Sequence, residues 1–288
     1  MKPSRFAYAR AESVEDALAL LDEYGPGAKI LAGGQSLVPM MNMRLARPDV
    51  LVDINNVRGL EEIQVGDAVR IGALARQEAV GCSTKVAGAL PLLTEAIQYV
   101  GHPATRNRGT FGGMIAHADP AAEVPAVLVA LGGEVVARSS AGTRTIAADD
   151  FFRSYFTTAL EENELLVELR LPISERQRHA FLEVARRHGD FALAGIAATA
   201  EIDDDGTCTA ARLVFFGVGG TPMRAREAEH VMVGKPLGHA SVAADVARTA
   251  AAGLTPGADF HASAQYRKEV AEVLARRALS RMTPVTSE

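Results

Sequence analysis

The sequence predicts an α+β protein in three parts, two α/β subdomains followed by a small sheet carrying helices. Three observations predict it. Residues 1–56 read as strand and helix patterns in alternation, compact enough for a subdomain of their own. Residues 57–175 alternate short strand and helix patterns and end near the polar, linker-like segment 173–178. Residues 176–288 place strand candidates first and helices after them, the order expected of a sheet covered on one side.

In the first part, Ser13 is a good N-cap for a helix over 13–24. Asp16 can complete a capping box, and Val14, Ala17, Leu18 and Leu21 form an apolar stripe. Gly25-Pro26-Gly27 ends that helix, and strands are expected at 28–32 and, after Pro48, at 50–54. Met40, Met41 and Met43 read as adaptable core filling. In the second part, 62–65 and 68–71 alternate around Gly66-Asp67, a hairpin signal. A short helix over 75–81 and a longer one over 85–100 follow, with Pro91 as a point where the latter can break. Helix from 122 to 131, strand at 134–138, strand and loop over 144–155, and a strand at 164–171 complete this part. The third part offers strands at 180–186, 195–202 and 208–218, with Asp203-Asp204-Asp205-Gly206 as a turn, and helices at 223–233, 241–253 and 263–282.

Two glycine pairs punctuate this pattern. In Lys29-Ile30-Leu31-Ala32-Gly33-Gly34-Gln35-Ser36, an apolar run stops at a Gly-Gly turn followed by a hydroxyl. Adjacent glycines let backbone N–H groups point outward and approach a ligand closely. Thr110-Phe111-Gly112-Gly113-Met114 repeats the idea further along. A lone Gly-Gly is most often a tight turn; two such cradles suit a ligand with two linked phosphates, which points to a dinucleotide cofactor.

The bulk numbers narrow the rest. The 288 residues are 48% hydrophobic and 23% charged, with a net charge of −5 and no basic stripe suited to nucleic acid. No run reaches the roughly 18 apolar residues that span a bilayer, and the N-terminus lacks the apolar core of a signal peptide, so a soluble cytoplasmic protein without membrane insertion is expected. The only cysteines are Cys82 and Cys208, too few for an iron–sulfur cluster held by this chain alone, and no metal-ligand spacing is present.

Together these stretches resemble the FAD-binding medium subunit of the molybdenum hydroxylases, the family of xanthine dehydrogenase and carbon monoxide dehydrogenase. The resemblance rests on Ala32–Leu37, Pro48–Ile54, the run from Gly101 to Pro120, Arg186-Arg187-His188-Gly189-Asp190-Phe191-Ala192 and Ser263-Ala264-Gln265-Tyr266-Arg267, and so spans nearly the whole chain. It implies an FAD-binding fold of the vanillyl-alcohol-oxidase (PCMH) type, with two α/β subdomains clasping noncovalent FAD. It further implies iron–sulfur clusters on a small partner subunit, molybdopterin on a large one, and NAD or quinone as electron acceptor. Lys29 to Ser36 would wrap the pyrophosphate, Thr110 to Met114 would form a second wall, and Glu123 would hydrogen-bond the adenosine end. The alternative for Glu123 is an exposed residue in the first turn of a helix. Val100 and Leu166 would support the flavin ring, with plain core packing as the alternative. Members commonly carry a lysine in the strand that here reads Phe181-Leu182-Glu183-Val184-Ala185, and carbon monoxide dehydrogenase subunits carry histidine where this chain has Gln35; glutamine leans toward relatives acting on N-heterocycles or aldehydes. No catalytic residue is expected, and His102 and His117 read as hydrogen-bonded structural groups.

Three other readings compete. A stand-alone FAD oxidase of the same fold often tethers its flavin through a His or Cys near the first loop, and Gln35 is no such anchor. A nicotinamide-binding Rossmann protein needs G-x-G-x-x-G, and Gly217-Val218-Gly219-Gly220 fails its spacing. A scaffold that has lost FAD is disfavoured by intact glycine pairs in both cradles.

Overall fold

The computed structural model describes residues 1–237 and 239–283; the end of the predicted C-terminal part, 284–288, lies outside the described residues. The N-terminal unit runs β1 (Ala7–Arg10), α1 (Val14–Tyr24), β2 (Ala28–Leu31), α2 (Leu37–Asn42) and β3 (Val50–Asp53). Its sheet is parallel, in the order β1-β3-β2, with β3 buried at the centre. Ser13 caps α1 by accepting from the Asp16 N–H, while Asp16 accepts from the N–H of Glu12 rather than of Ser13. Strand β1 and helix α2 are additions to the pattern expected from sequence. Of Met40, Met41 and Met43 only Met41, 3% exposed, is core; Met43, at the C-cap of α2, stands 54% exposed, so the core-filling expectation fails there.

The middle unit begins with the hairpin β4 (Ile63–Val65) and β5 (Ala68–Gly72), followed by α3 (Gln77–Gly81). The long helix expected over 85–100 is two, α4 (Thr84–Ala89) and α5 (Pro91–Ile97), because Pro91 has no N–H to continue the ladder and opens a new helix instead. Short α6 (Pro103–Arg106) and α7 (Phe111–His117), neither expected, precede α8 (Glu123–Ala130). Strands β6 (Glu134–Ser139) and β7 (Gly142–Ala147), helix α9 (Ala148–Phe151), the small hairpin β8 (Phe152–Ser154) and β9 (Thr157–Thr158), and β10 (Leu165–Pro172) complete it. The antiparallel sheet has the order β4-β5-β10-β6-β7.

The C-terminal unit is an antiparallel sheet of β11 (Gln177–Ala185), β12 (Ala192–Ile202), β13 (Cys208–Phe216) and β14 (Met223–Arg224), with α10 (Arg226–Met232), α11 (Ala240–Gly253) and α12 (Ala264–Met282) on one side. The helix expected from Met223 starts later because Met223 and Arg224 pair with β13. Alternation along β11 sends Ala180, Leu182 and Val184 toward the helices, while Phe181 joins the core of the middle unit. This seam is tied by Thr199 Oγ1 donating to the Ala130 carbonyl (3.0 Å), the Gly217 N–H donating to Pro120 (2.8 Å), and Arg212 and Arg224 both meeting Asp149 (3.2 and 2.9 Å).

Candidate cofactor site

Strand β2 ends at Leu31 and releases the chain into the first glycine loop at the carboxyl edge of a parallel sheet, the edge where such sheets bind ligands. The N–H groups of Ala32, Gly33, Gly34, Gln35 and Ser36 donate to no acceptor among the described residues. Gly34 takes φ +69°, which lets the loop turn its amides to one side. Gln35 folds back, its Nε2 donating to the Gly33 carbonyl (3.2 Å). This loop lines a cleft of about 440 Å³ together with Val38, Pro39, Asp53, Asn55 and Arg108.

The second loop meets the first backbone to backbone. A Cβ on Gly33 would overlap the Arg108 carbonyl oxygen and come within 2.8 Å of Gly109 Cα. The second loop is itself pinned to residues 73–77: Phe111 and Gly112 N–H groups donate to Ala75 and Ala73 (both 2.9 Å), and the Gly109 carbonyl accepts from Gln77 (3.1 Å). Thr110 caps α7 by accepting from the Gly113 N–H (3.1 Å), and Met114 N–H donates to the Thr110 carbonyl. The amides of 111–114 are therefore consumed by the protein. What this loop can still offer is the Thr110 N–H and hydroxyl hydrogen, on a residue only 2% exposed.

Four groups at this cleft escape a reading of the sequence: Arg76, Asn55, Asp53 and Tyr8. Arg76 bridges the loops, donating to the Arg108 carbonyl (2.6 Å) and to Asn55 Oδ1 (2.9 Å). Asn55 in turn donates to the Ala32 carbonyl (2.8 Å) and to Asp53 Oδ1 (2.7 Å). Burial opposes charge on Asp53, yet the Tyr8 hydroxyl (2.6 Å) and Asn55 hold its carboxyl below the usual range. The available signal is positional: Asp53 and Asn55 follow the central parallel strand, on the same edge as the first loop.

The other expected residues are spread around the site. Lys29 on β2 is exposed; burial lowers the His117 imidazole's pKa, with Asp119 opposing and Lys29 adding to that shift. His117 packs at a tilt against Phe156 (5.1 Å between centroids), and His102 is exposed; neither ring makes a hydrogen bond among the described residues, so the expected hydrogen-bonded role is not what holds them. Glu123, in the first turn of α8, is 4% exposed, which removes the exposed-helix alternative; burial pushes its carboxyl up to about 7. Val100 and Leu166 are each 4% exposed and packed in the middle core with Phe181 and Phe216.

Residues 4–174 match the family described as the FAD binding domain in molybdopterin dehydrogenase, and residues 179–282 match the CO dehydrogenase flavoprotein C-terminal domain. The chain belongs to the FAD-binding medium subunits of the molybdenum hydroxylases. It is 44% identical to the 6-hydroxypseudooxynicotine dehydrogenase complex subunit alpha of Paenarthrobacter nicotinovorans, over 98% of this chain and 95% of that protein. It is 38% identical to the carbon monoxide dehydrogenase medium chain of Hydrogenophaga pseudoflava, over 97% and 98% of the two. The solved structure of carbon monoxide dehydrogenase from that organism superposes with a TM-score of 0.95, at 38% identity and 98% coverage of both chains. Quinoline 2-oxidoreductase from Pseudomonas putida 86 superposes at 0.92, with 37% identity and 98% coverage of both.

For a medium subunit of this family, the bridging guanidinium carries a testable consequence. Arg76→Ala removes hydrogen bonds that keep both loops at one separation, each worth about 1.5–3 kcal/mol when a charged donor is involved. FAD affinity is expected to fall about 10- to 100-fold by fluorescence titration, with the far-UV circular dichroism of the chain unchanged.

Proposed function

We propose that this chain holds FAD noncovalently between the two glycine loops and serves as the electron exit of a three-subunit molybdenum hydroxylase. The observation that carries the reading is the run of unpartnered N–H groups from Ala32 to Ser36, in a cleft whose opposite wall reaches it only because residue 33 lacks a Cβ. Several aligned amides can neutralise a pyrophosphate without a lysine on it. Division of the chain at 1–56, 57–175 and 176–288 then lets the first unit supply one loop, the second unit the other, and the third a cover over the seam.

Lys29 to Ser36 orient the phosphates, Thr110 adds a neutral donor, and Phe111 to Met114 act by position, anchoring α7 so that Thr110 stays aimed. Glu123 offers its buried carboxyl, and Val100 and Leu166 supply an apolar wall. Bound there, FAD supplies the ability to take electrons singly and release them singly or in pairs. The electrons would come from iron–sulfur clusters on a small partner subunit, fed by molybdopterin on a large one, and would leave to NAD or a quinone. The chain contributes binding, orientation and exclusion of water, and no nucleophile. Residence in the cytoplasm fits such an assembly; among the described residues no helix is long and apolar enough to cross a membrane.

Acid precipitation of the purified chain tests this. Flavin is expected in the supernatant at about one per chain; a yellow pellet would mean a covalent tether, and a colourless protein that refuses added FAD would overturn the reading.

A further inference from the structure

Among the described residues, Arg108 is the one basic residue lining the cofactor cleft, and the fold makes no use of its side chain. Its guanidinium has no hydrogen bond and no ion pair among those residues; only its backbone carbonyl is engaged, by Arg76 at 2.6 Å. The arginines beside it are occupied. Arg106 is held by Glu78 and the Val100 carbonyl, and Arg76 by the Arg108 carbonyl and Asn55.

The base of the Arg108 side chain is nonetheless fixed. Its N–H donates to the Thr105 carbonyl (3.1 Å), and the Gly109 N–H donates to the same oxygen (2.7 Å). Gly109 rests on the Gln77 amide, which leaves no room for a Cβ, and the Arg108 carbonyl meets Gly33 across a contact that admits no Cβ either. From this base an exposed guanidinium shares the cleft wall with the first glycine loop. The cleft thus presents a free five-donor fork from the second loop and the free N–H groups of Ala32 to Ser36 from the first.

Charge balance points the same way. Asp53 is the only acid lining the cleft, and its oxygens already accept from Tyr8 and Asn55. Burial and then the Arg108 charge lower the pKa of Arg76, so the two guanidiniums sense each other, with Asp53 as the carboxylate that offsets them. Surplus positive charge beside a row of amide donors suits a multiply charged oxyanion.

We propose that Arg108 is the cationic arm of the phosphate site, closing from the second loop onto a phosphate of FAD whose other oxygens are held by the first-loop amides. The proposal rests on the FAD reading above and adds to it a residue and a division of labour. Amides of the N-terminal unit set the position of the phosphate, and the middle unit supplies the charge. An arginine fork matches two phosphate oxygens at once, which a lysine does not. Because the arm is exposed and becomes ordered only on contact, its lost freedom offsets part of the gain.

Arg108→Gln tests this, since the side chain is exposed and the variant keeps the carbonyl that Arg76 and Gly33 meet. Flavin-depleted chain is titrated with FAD by fluorescence at low and at high ionic strength. At low salt Arg108→Gln is expected to bind FAD about 10- to 100-fold more weakly than the parent. Raising the salt should weaken the parent more than the variant, so that the two converge. Arg108→Lys keeps the charge without the fork and should fall between them, with the parent's salt dependence. Riboflavin, the same ring without phosphate, should show no difference between parent and Arg108→Gln. A variant that binds FAD as the parent does, or whose loss is the same at both salts, would overturn the arm while leaving FAD binding intact. A loss for riboflavin equal to the loss for FAD would overturn it as well, because the effect would then lie in the shape of the loop. Absence of FAD binding by the parent at either salt would overturn the FAD reading and the arm with it.

Discussion

Gly33→Val is expected to yield a folded but colourless chain. The added Cβ falls on the Arg108 carbonyl oxygen and near Gly109 Cα, which are backbone atoms. No rotamer change relieves that overlap, so the loops must separate, and separation breaks the Arg76 bridge that depends on the same carbonyl. The damage is local, since Gly33 belongs to none of the three hydrophobic cores. Gly33→Ala already adds the offending atom and should act in the same direction. Gly34 is the control. Its φ of +69° makes an alanine there cost about 1 kcal/mol, yet its Cβ would touch only the Val38 and Leu31 side chains, which can move. Flavin absorbance in the acid supernatant separates the cases: at least a hundredfold weaker FAD retention for Gly33→Val, and partial retention for Gly34→Ala. Full flavin content in Gly33→Val would show that contact between the loops is dispensable.

The largest effect on stability is expected at the Glu78–Arg106 pair. The Arg106 side chain is 8% exposed, its Nε meets Glu78 at 2.7 Å, and its Nη1 donates to the Val100 carbonyl at 3.1 Å. One cation thus ties α3, the end of the α5 turn and α6 together just before the second loop. Removing one member of a buried pair strands the other, at a cost of about 3–5 kcal/mol. Glu78→Ala, which leaves the guanidinium buried and unpaired, should lower the denaturant midpoint most. Arg106→Met strands a carboxylate that is 29% exposed and should cost less. The double variant should recover part of the loss, because the coupling between neighbours is non-additive. Equal, additive losses would show that the pair does not act as a unit.

What is legible in the sequence follows a physical line. Helix α1 can be read closely because its cap, stripe and stop all lie within its own residues, and the β4–β5 hairpin because its turn does too. Helix α7 cannot, since two glycines in a helix oppose its formation. They are tolerated because a Cβ on Gly112 would meet Ala73 Cα at 2.7 Å, a demand made by a distant segment. Strand β1 pairs in parallel with β3 and is mostly exposed, so neither a local turn nor an apolar alternation announces it. The glycine loops are conspicuous, but their division of labour is not. Which amides remain free depends on Ala73, Ala75 and Gln77 taking or giving hydrogen bonds across the fold. Asn55, Arg76 and Arg108 acquire their places only once β3 lies beside β2.

The contact between Gly33 and Arg108 also dictates an order of events at the ribosome. Synthesis at about 5–20 residues per second puts several seconds between the emergence of the two loops. During that interval the N-terminal sheet can assemble, since β1, β2 and β3 all precede Ile54, but its open amides have only water opposite them. If FAD is held between the two loops as proposed, chains that end before Thr110 are expected to be flavin-free, and flavin loading to report completion of the middle unit.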